Sequence, residues 1–411
     1  MKAPTCRFCG TPLTHTFVDL GMSPLSNSYL CSEDLGQMEP FYPLHARVCD
    51  QCWLVQLEEF ESPQTIFSDY AYFSSWSDTW LAHARAYTEQ MISRFGFNQS
   101  SQIVEIASND GYLLRNFKEK GIPVLGIEPA ANVAKVAEEA GIPTLVKFFG
   151  TETARELAAK GRQADLLLGN NVLAHVPDIN DFVAGMKILL KPGGIITMEF
   201  PHLLQLMDKN QFDTIYHEHF FYLSFTTVQR IFAKHGLTLF DVDELSTHGG
   251  SLRIYACHTE NGNLPVSATV ERLVNSEVEA GLTQLEAYGG FSERVRETKR
   301  RLLEFLIQAK REGKSIVGYG APAKGNTLLN YCGIRTDFID YTVDRSTYKQ
   351  GRFLPGTHIP IYHPDRVRET KPDYLLILPW NIKDEIMGQM AHIKDWGGKF
   401  VIPIPGVEVV Q

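Results

Sequence analysis

Four consecutive residues, Tyr216-His217-Glu218-His219, place a phenol, a carboxylate and two imidazoles side by side. Histidine titrates near neutral pH and suits proton abstraction, and a neighbouring carboxylate can fix its tautomer. We therefore expect general-base chemistry at this segment. A metal-binding histidine pair is a second interpretation, although the helical H-E-x-x-H spacing of zinc proteases is absent. A polar loop that merely packs against the fold is a third.

Two C-x2-C pairs, Cys6/Cys9 and Cys49/Cys52, lie in one short N-terminal segment. Zinc binds four thiolates in a tetrahedron, and each C-x2-C turn presents two thiolates from one tight loop. The spacing therefore predicts a structural zinc site, because four thiolates leave no coordination position open for catalysis. Cys31, between the two pairs, is expected to stay free.

A third group of residues has the order of a nucleoside-cofactor site. Residues 103–114 (IVEIASNDGYLL) predict a strand, a tight loop of small residues and a helix start, which lets a ligand approach the backbone. An acid after the next strand can bind both ribose hydroxyls. Two asparagines follow the third strand, and the turn KPGG (191–194) leads into the fourth. The candidate cofactor-binding residues are Glu105, Ala107, Asn109, Asp110, Gly111, Glu128, Pro129, Asn170 and Asn171.

The elements that must position these groups alternate along the chain between short apolar runs and helical patterns. This alternation predicts a parallel sheet covered by helices, followed by an antiparallel pair around the turn at 247–250. Ligands bind beyond the carboxyl ends of parallel strands, so Tyr216–His219 can reach the cofactor. The predicted strands are 103–107, 123–127, 165–169, 194–200, 239–245 and 251–258, with helices at 132–140 and 181–190.

A second α/β unit follows a charged, helical stretch at 267–313. Its predicted strands are 315–320, 342–344, 374–378 and 399–403. The turn Gly318–Lys324 offers backbone groups and a lysine that suit a pyrophosphate, although the unit could also be a structural relic. We therefore expect three domains. Their boundaries are 1–66, 67–258 and 259–411.

Composition narrows the function classes. The 411 residues carry a net charge of −9 without basic tracts, which argues against a nucleic-acid partner. No stretch approaches the ~20 apolar residues that span a bilayer, so no membrane association is expected. The N-terminus lacks the apolar run of a signal peptide. The expected compartment is the cytosol, where thiols stay reduced and paired cysteines indicate metal.

These motifs together resemble known families. The middle part resembles the class I S-adenosylmethionine methyltransferases over about 150 residues, although Ala107 and Ser108 stand where that superfamily usually has glycine. Almost the whole chain resembles the sugar C-methyltransferases, which methylate a carbon of nucleotide-linked keto-deoxysugars. The motifs that carry this resemblance are the four cysteines, DYAYFSS (69–75), EIASNDG (105–111), NNVLAHVPD (170–178), YHEH (216–219), HGGSLR (248–253), GYGAPAKGNTLLN (318–330) and DRSTYKQGRFLPGTHIPI (344–361).

The resemblance implies a fold, cofactors and a reaction. The fold is a class I methyltransferase core with a zinc-binding N-terminal domain and a second, Rossmann-like C-terminal domain. S-adenosylmethionine is the methyl donor, zinc is structural, and the acceptor is a dTDP-linked 4-keto-6-deoxysugar. His219 removes the proton next to the ketone, and the resulting enolate carbon takes the methyl group. Tyr216, Glu218, His175 and Tyr70 surround this base.

The resemblance also implies contacts with the nucleotide-linked sugar. Tyr72 stands so close to Tyr70 in sequence that either one could be the tyrosine of the sugar pocket. The implied substrate-binding residues are Tyr72, His248, Arg253, Lys324, Asn326, Asp344 and Lys349.

Two alternative functions remain at this point. One is O- or N-methylation of another small molecule, which needs no ketone in the acceptor. The other is nucleic-acid binding through the zinc knuckles with a vestigial cofactor fold, which the acidic charge disfavours. We expect a monomer, because no apolar heptad seam is evident.

Overall fold

The computed structural model describes residues 4–62, 64, 74–76, 78–262 and 264–411. They form three β-sheets, which define an N-terminal domain (4–62), a middle domain (78–258) and a C-terminal domain (264–411). None of the helices in the described part of the chain is both long and apolar enough to cross a lipid bilayer.

The N-terminal domain contributes three antiparallel strands to a four-stranded sheet. These strands are β1 (His15–Ser23), β2 (Tyr42–Val48) and β3 (Val55–Gln56). Both cysteine pairs lie outside them, on tight turns at the start of the domain and after β2. The sequence analysis did not predict this sheet.

The middle domain is a seven-stranded sheet in the order β10–β11–β8–β7–β4–β5–β6. All its pairings are parallel except the two made by β11, and the strand order reverses between β4 and β7. This doubly wound core confirms the predicted fold class. The seven strands of this sheet are β4 (Ile103–Ile106), β5 (Val124–Ile127), β6 (Thr144–Leu145), β7 (Ala164–Asn170), β8 (Leu190–Pro201), β10 (Leu237–Leu245) and β11 (Ser251–His258). The short strand β9 (Phe221–Tyr222) lies between β8 and β10 in the chain.

Two details of this domain differ from the sequence analysis. The turn KPGG (191–194) does not precede the fourth strand but lies inside β8, as a register irregularity between the pairs Ala164–Leu190 and Leu166–Ile195. Strand β9 does not join the middle sheet, because it pairs with β3 and so completes the sheet of the N-terminal domain. The catalytic candidates precede β9 directly, so they lie where the two domains meet.

Helices cover both α/β sheets, and two of those in the described part of the chain begin with a side-chain N-cap. Asp178 and Ser224 accept hydrogen bonds from backbone N–H groups of the first turn of the helices they precede. The helices are α1 (Asp78–Phe95), α2 (Leu114–Glu119), α3 (Ala131–Glu139), α4 (Thr151–Ala159), α5 (Ile179–Leu189), α6 (Leu203–Asp208), α7 (Phe225–Lys234), α8 (Ala268–Glu279), α9 (Leu285–Gly289), α10 (Phe291–Arg311), α11 (Ala323–Cys332), α12 (Arg366–Thr370) and α13 (Lys383–Gln389).

The C-terminal domain is a six-stranded sheet in the order β14–β13–β12–β15–β16–β17, parallel except for β17. This is the strand order of a Rossmann fold, with its switch point between β12 and β15. The four predicted strands are confirmed, and β14 and β17 are added to them. The strands are β12 (Ile316–Tyr319), β13 (Thr342–Val343), β14 (Ile361–Tyr362), β15 (Tyr374–Ile377), β16 (Lys399–Ile402) and β17 (Glu408–Val410).

The N-terminal domain shares its hydrophobic core with its neighbours. Phe17 of β1 is fully buried and stacks on Phe291 of α10, with ring centroids 4.5 Å apart. On the other side, Leu54 belongs to the cluster that fills one face of the middle sheet. A segment this short cannot bury enough apolar surface alone, which explains why it packs against both larger domains.

A buried glutamate fixes the helix that follows Tyr216–His219. Glu277 of α8 is fully buried and accepts hydrogen bonds from the backbone N–H groups of Phe225 (2.6 Å) and Thr226 (2.8 Å) at the start of α7. The same carboxylate lies 2.7 Å from Nε2 of His202, just after β8. One side chain therefore joins α7, α8 and the end of β8.

We predict that Glu277→Ala lowers the free energy of unfolding by about 3–5 kcal/mol, because it leaves buried partners unpaired. The exposed Glu279 on the same helix is the control, and Glu279→Ala should change stability by less than about 0.5 kcal/mol. Urea denaturation measures both values. Equal effects of the two substitutions would contradict this role of Glu277.

Candidate active site

His219 is held in one tautomer. Its Nδ1 lies 2.9 Å from the carbonyl oxygen of Thr214, in the turn Phe212–Thr214. A carbonyl oxygen can only accept a hydrogen bond, so Nδ1 carries the proton and donates it. In the neutral ring Nε2 is then unprotonated, which is the state that a general base requires.

Two further rings surround the half-buried imidazole of His219. The ring of His175 lies 4.6 Å away, edge to face, and the ring of Tyr216 lies 4.1 Å away. Burial lowers the pKa of His219 well below its ordinary value, and the nearby His175 lowers it further. Burial also lowers the pKa of His175 to about 4, against a hydrogen bond to the backbone of Glu218. Both imidazoles are therefore neutral at neutral pH.

The carboxyl group of Glu218 is buried and hydrogen-bonded from another domain. The side-chain amide of Asn27 donates to its Oε1 at 2.7 Å. Burial raises the pKa of Glu218 to about 7, and the hydrogen bond from Asn27 opposes this rise. The sequence analysis missed Asn27, which lies 191 positions away in a loop of the N-terminal domain.

Every domain holds the backbone of this segment. Phe220 N–H donates to the carbonyl of Ala174 in the middle domain at 2.7 Å. The hydroxyl of Thr327, on α11 of the C-terminal domain, donates to the carbonyl of Ile215 at 3.0 Å. His217 contacts the carbonyl of Pro43 in the N-terminal domain through Nε2 at 3.2 Å. His217 therefore anchors the segment. Among the described residues, the group of side chains placed to bind a metal is the four cysteines and includes neither His217 nor His219.

The candidate cofactor loop adopts a strained conformation. Ala107, Asn109 and Gly111 have φ values of 54°, 49° and 75°, which lie in the left-handed region. A Cβ atom on Gly111 would lie 2.9 Å from Cγ1 of Ile142, so only glycine fits there. Asn171, after β7, is also left-handed with φ 55°. Such strain is typical of loops that approach a ligand closely.

Glu128 links the ends of β4 and β5. Its two carboxylate oxygens accept hydrogen bonds from the backbone N–H groups of Asn109 and Ala130, each at 2.9 Å. Burial raises its pKa to about 7, against these two hydrogen bonds. Glu128 therefore contacts the loop directly, and Pro129 follows it in the chain.

Several polar groups at this edge of the sheet are buried without a hydrogen-bond partner among the described residues. They are both carboxyl oxygens of Glu105, the hydroxyl of Ser108 and Oδ1 of Asp110. Burial raises the pKa of Glu105 well above its usual range, and the neighbouring carboxylates add to this effect. Acceptors of this kind fit the hydroxyl and amino groups of S-adenosylmethionine. Asn170 ends β7 at the same edge.

His248 joins this edge from the turn between β10 and β11. Its Nε2 accepts a hydrogen bond from the side-chain amide of Asn171 at 3.0 Å, and its ring lies 5.4 Å from Trp80. Burial lowers the pKa of His248 to about 4. Gly249 follows with φ 90°, and a Cβ there would lie 2.9 Å from the ring of Trp380. The turn is therefore pressed between the middle and C-terminal domains.

Arg253 was predicted to bind the substrate, and in the structure it contacts Glu199 and Gln90. Its buried guanidinium lies 2.6 Å from Glu199 and donates to Gln90 at 2.7 Å. The other carboxyl oxygen of Glu199 lies 2.8 Å from Nε2 of His83. These contacts hold α1 against the sheet. The sequence analysis missed His83 and Glu199, because nothing in the local pattern links them.

At the switch point of the C-terminal domain lies Lys324. Its ammonium group donates to Asn381 at 2.8 Å and lies 4.7 Å from the centre of the Trp380 ring. Burial lowers the pKa of Lys324, while Asp213 opposes this effect. Trp380 donates to the fully buried Asp213 at 2.7 Å, and burial raises the pKa of Asp213 to about 6. Asp213 adjoins Thr214, so this contact ties the C-terminal domain to the turn that orients His219.

The other residues of the C-terminal domain that were predicted to bind the substrate make contacts within the protein. Asp344 accepts a hydrogen bond from the backbone N–H of Ala321 at 2.7 Å. Lys349 donates to the carbonyl of Ala321 at 2.9 Å and lies 3.8 Å from Asp344. Asn326 donates to the carbonyl of Ser26 at 2.6 Å.

Two predicted residues, Tyr70 and Tyr72, lie outside the described residues. The nearest described residues, Ser74 and Ser75, donate backbone N–H groups to the side chains of Asn109 (3.0 Å) and Asp110 (3.1 Å) of the cofactor loop. The residues just after the two tyrosines therefore contact the loop.

The four cysteines converge as predicted. Their sulfur atoms all lie within 4.8 Å of one another, and the pairs Cys6–Cys52 and Cys9–Cys49 are each 3.5 Å apart. These distances exceed a disulfide bond and agree with the edges of a tetrahedron whose centre lies ~2.3 Å from each sulfur, as in zinc sites. Cys31 is separate from this group and partly exposed.

We predict that Cys49→Ser releases zinc and lowers the thermal stability of the protein, because a structural zinc site contributes folding free energy. Cys31→Ser is the matched control and should keep its metal. Inductively coupled plasma mass spectrometry on the two purified variants measures the metal content. Full metal occupancy in Cys49→Ser would contradict a four-cysteine site.

Comparison with known proteins finds a matching family model for each of the three parts of the chain. Models of a zinc binding domain, a methyltransferase domain and a C-methyltransferase C-terminal domain match residues 6–67, 80–242 and 246–405. The C-methyltransferase NovU of Streptomyces niveus is 35% identical over 409 residues, which cover 99% of this chain and 96% of NovU. The ubiquinone biosynthesis O-methyltransferase of Chelativorans sp. (strain BNC1) is 31% identical over 96 residues, which cover 23% of this chain and 38% of that enzyme.

Among solved structures, the PH0226 protein from Pyrococcus horikoshii OT3 has a TM-score of 0.38 at 15% identity, and the match covers 48% of this chain and 99% of that one. The fold, the unpaired acceptors on β4 and in the loop after it, and the matched domains make S-adenosylmethionine the cofactor. The sulfur cluster makes zinc the metal of the N-terminal domain. The chain belongs to the S-adenosylmethionine-dependent C-methyltransferase family that includes NovU.

Proposed function

We propose that this enzyme methylates a carbon next to the ketone of a nucleotide-linked 4-keto-6-deoxysugar, with dTDP as the nucleotide. The observation that carries the proposal is the state of His219. Its ring is neutral, its Nδ1–H is fixed by Thr214 and its Nε2 is left to accept a proton. A methyltransferase that acts on oxygen has much less need of such a base, because its acceptor is already a nucleophile or nearly one.

A proton next to a ketone is only weakly acidic, so the base needs help from groups that stabilise the enolate oxygen. Tyr216 and His175 flank the His219 ring and carry hydrogen-bond donors. Loss of one donor to such an oxyanion typically costs ~10²–10³ in rate. S-adenosylmethionine supplies an activated methyl group when it is bound. The residues of the chain then need only hold the enolate carbon in line and keep water out.

The nucleotide end of the acceptor fits the switch point of the C-terminal domain. Helix α11 begins directly after the turn that follows β12, so its N-terminus carries partial positive charge there. Lys324, in the first turn of α11, adds a full charge. The charge of Lys324 also lowers the pKa of His219 and of His248, which agrees with a position near both imidazoles. These features support binding of a pyrophosphate with its sugar directed towards His219.

The remaining expectations concern the setting of the reaction. Four free thiols close enough to bind zinc suit a reducing compartment, and we propose the cytosol. We propose a monomer that acts on a small molecule. A net charge of −9 without basic tracts remains the argument against nucleic acid.

We predict that incubation with S-adenosylmethionine and a dTDP-4-keto-6-deoxysugar gives a product heavier by one methyl group. With a ¹³C-labelled methyl donor, carbon NMR should show that the new methyl is attached to a ring carbon. A methyl group on oxygen or nitrogen, or no transfer to any of a panel of such sugars, would contradict the proposal.

We predict that Lys324→Met weakens the binding of dTDP by about 10- to 100-fold, because a hydrogen bond to a charged group is lost. Lys394, an exposed lysine of the same domain, provides the control variant Lys394→Met. Isothermal titration calorimetry measures both affinities. Unchanged affinity in Lys324→Met would show that the pyrophosphate does not bind at this switch point.

A further inference from the structure

Asn27 belongs to the N-terminal domain, yet its side chain contacts Glu218 of the middle domain. It lies in the loop between β1 and β2, and its Nδ2 is 2.7 Å from Oε1 of Glu218. Glu218 itself is 4% exposed.

The loop that carries Asn27 is fixed from the other side by the C-terminal domain. Leu30 and Phe353 exchange two backbone hydrogen bonds, of 3.1 and 2.9 Å. The buried hydroxyl of Tyr29 lies 3.3 Å from Oδ1 of Asn27 and donates to the carbonyl of Ala321. Asn27 is therefore oriented before any ligand arrives, with its amide directed at Glu218.

The same contacts lead to the turn proposed to bind the pyrophosphate. Ala321 lies between β12 and α11, and its carbonyl also accepts a hydrogen bond from Lys349 at 2.9 Å. Lys349 in turn lies 5.3 Å from the centre of the Tyr29 ring. A continuous set of contacts thus joins Glu218, Asn27, Tyr29 and Ala321, and it passes through all three domains.

We propose that Asn27 is a positioning residue for the methyl transfer: the zinc-binding domain holds Glu218 as an ordered carboxylate on the residue before His219. This inference rests on the proposed function. A fixed negative charge in the active site stabilises the imidazolium that forms when His219 takes a proton. The zinc-binding domain is then part of the active site, and the zinc fixes the fold from which this loop extends.

The charge state of Glu218 follows from its surroundings. Burial favours the neutral acid, and the amide of Asn27 favours the carboxylate. Removal of Asn27 therefore raises the pH at which Glu218 ionises. The titratable groups that face this pair or share its segment are Tyr29, His175, Lys349, Tyr216, His217 and His219.

The test uses Asn27→Ala, Asn27→Asp and the control Gln37→Ala, which changes an exposed side chain of the same loop. The first readout is the infrared band of the carboxyl group, assigned by its absence in Glu218→Gln and titrated without any acceptor. We expect the midpoint to rise by about one to two pH units in Asn27→Ala, since a hydrogen bond to a charged group changes an equilibrium ~10- to 100-fold. Asn27→Asp should raise it further, and Gln37→Ala should leave it unchanged.

The second readout is the pH profile of methyl transfer. In Asn27→Ala the acidic limb should move to higher pH, so that the loss of activity is largest at low pH and shrinks as the pH rises. Zinc content and affinity for S-adenosylmethionine should equal those of the wild type. If Asn27→Ala does not fold, Asn27→Ser takes its place, because serine is too short to reach Oε1.

An unchanged infrared midpoint in a folded Asn27 variant would overturn the proposal, as would an activity loss that is equal at every pH. The infrared titration contains no acceptor. If the wild type fails to methylate ketosugars, the proposed function is therefore contradicted while the effect of Asn27 on Glu218 is still decided.

Discussion

The hydrogen bond between Nδ1 of His219 and the carbonyl of Thr214 is the interaction on which the rest of the site depends. It selects the nitrogen that can accept a proton, and burial keeps the ring neutral and ready to do so. A tautomer chosen by one backbone carbonyl is only as well defined as the backbone that carries it. The surrounding domains keep the backbone of residues 212–222 in place.

Each domain contributes to that task with a different kind of contact. The N-terminal domain pairs β3 with β9, directly after His219, and anchors His217. The middle domain holds Phe220 through the carbonyl of Ala174, and Glu277, on α8 of the C-terminal domain, fixes the start of α7. The C-terminal domain contacts the segment through Thr327 and through Trp380 on Asp213. Residues 212–222 are therefore held by all three domains rather than by one.

Much of this fold could be predicted from sequence because its signals are local. Apolar runs in the sequence indicate the buried strands, and small residues after a strand indicate the loop at 107–111. The cysteine pairs directly indicate a zinc site. The contacts that orient the side chains could not be predicted, because they join residues far apart in sequence. Asn27 and Glu218 are separated by 191 positions, Trp380 and Asp213 by 167, and His83 and Glu199 by 116.

Arg253 is a further residue whose contacts could not be predicted from its sequence motif. Its motif suggests a substrate contact, whereas its buried partner Glu199 lies on a neighbouring strand. No pattern within the motif indicates that partner. Residue type and spacing thus indicate which chemistry is available, and only the packing decides which groups face the reaction and which support it.

The central claim is that His219 removes a proton from the carbon next to a ketone, independently of methyl transfer. The most direct measurement is deuterium uptake by a dTDP-4-keto-6-deoxysugar in D₂O, without S-adenosylmethionine, followed by mass spectrometry. The account predicts uptake of deuterium at that carbon with the wild type and none above background with His219→Ala. Equal uptake with both proteins, or none with a wild type that methylates the same sugar, would contradict it.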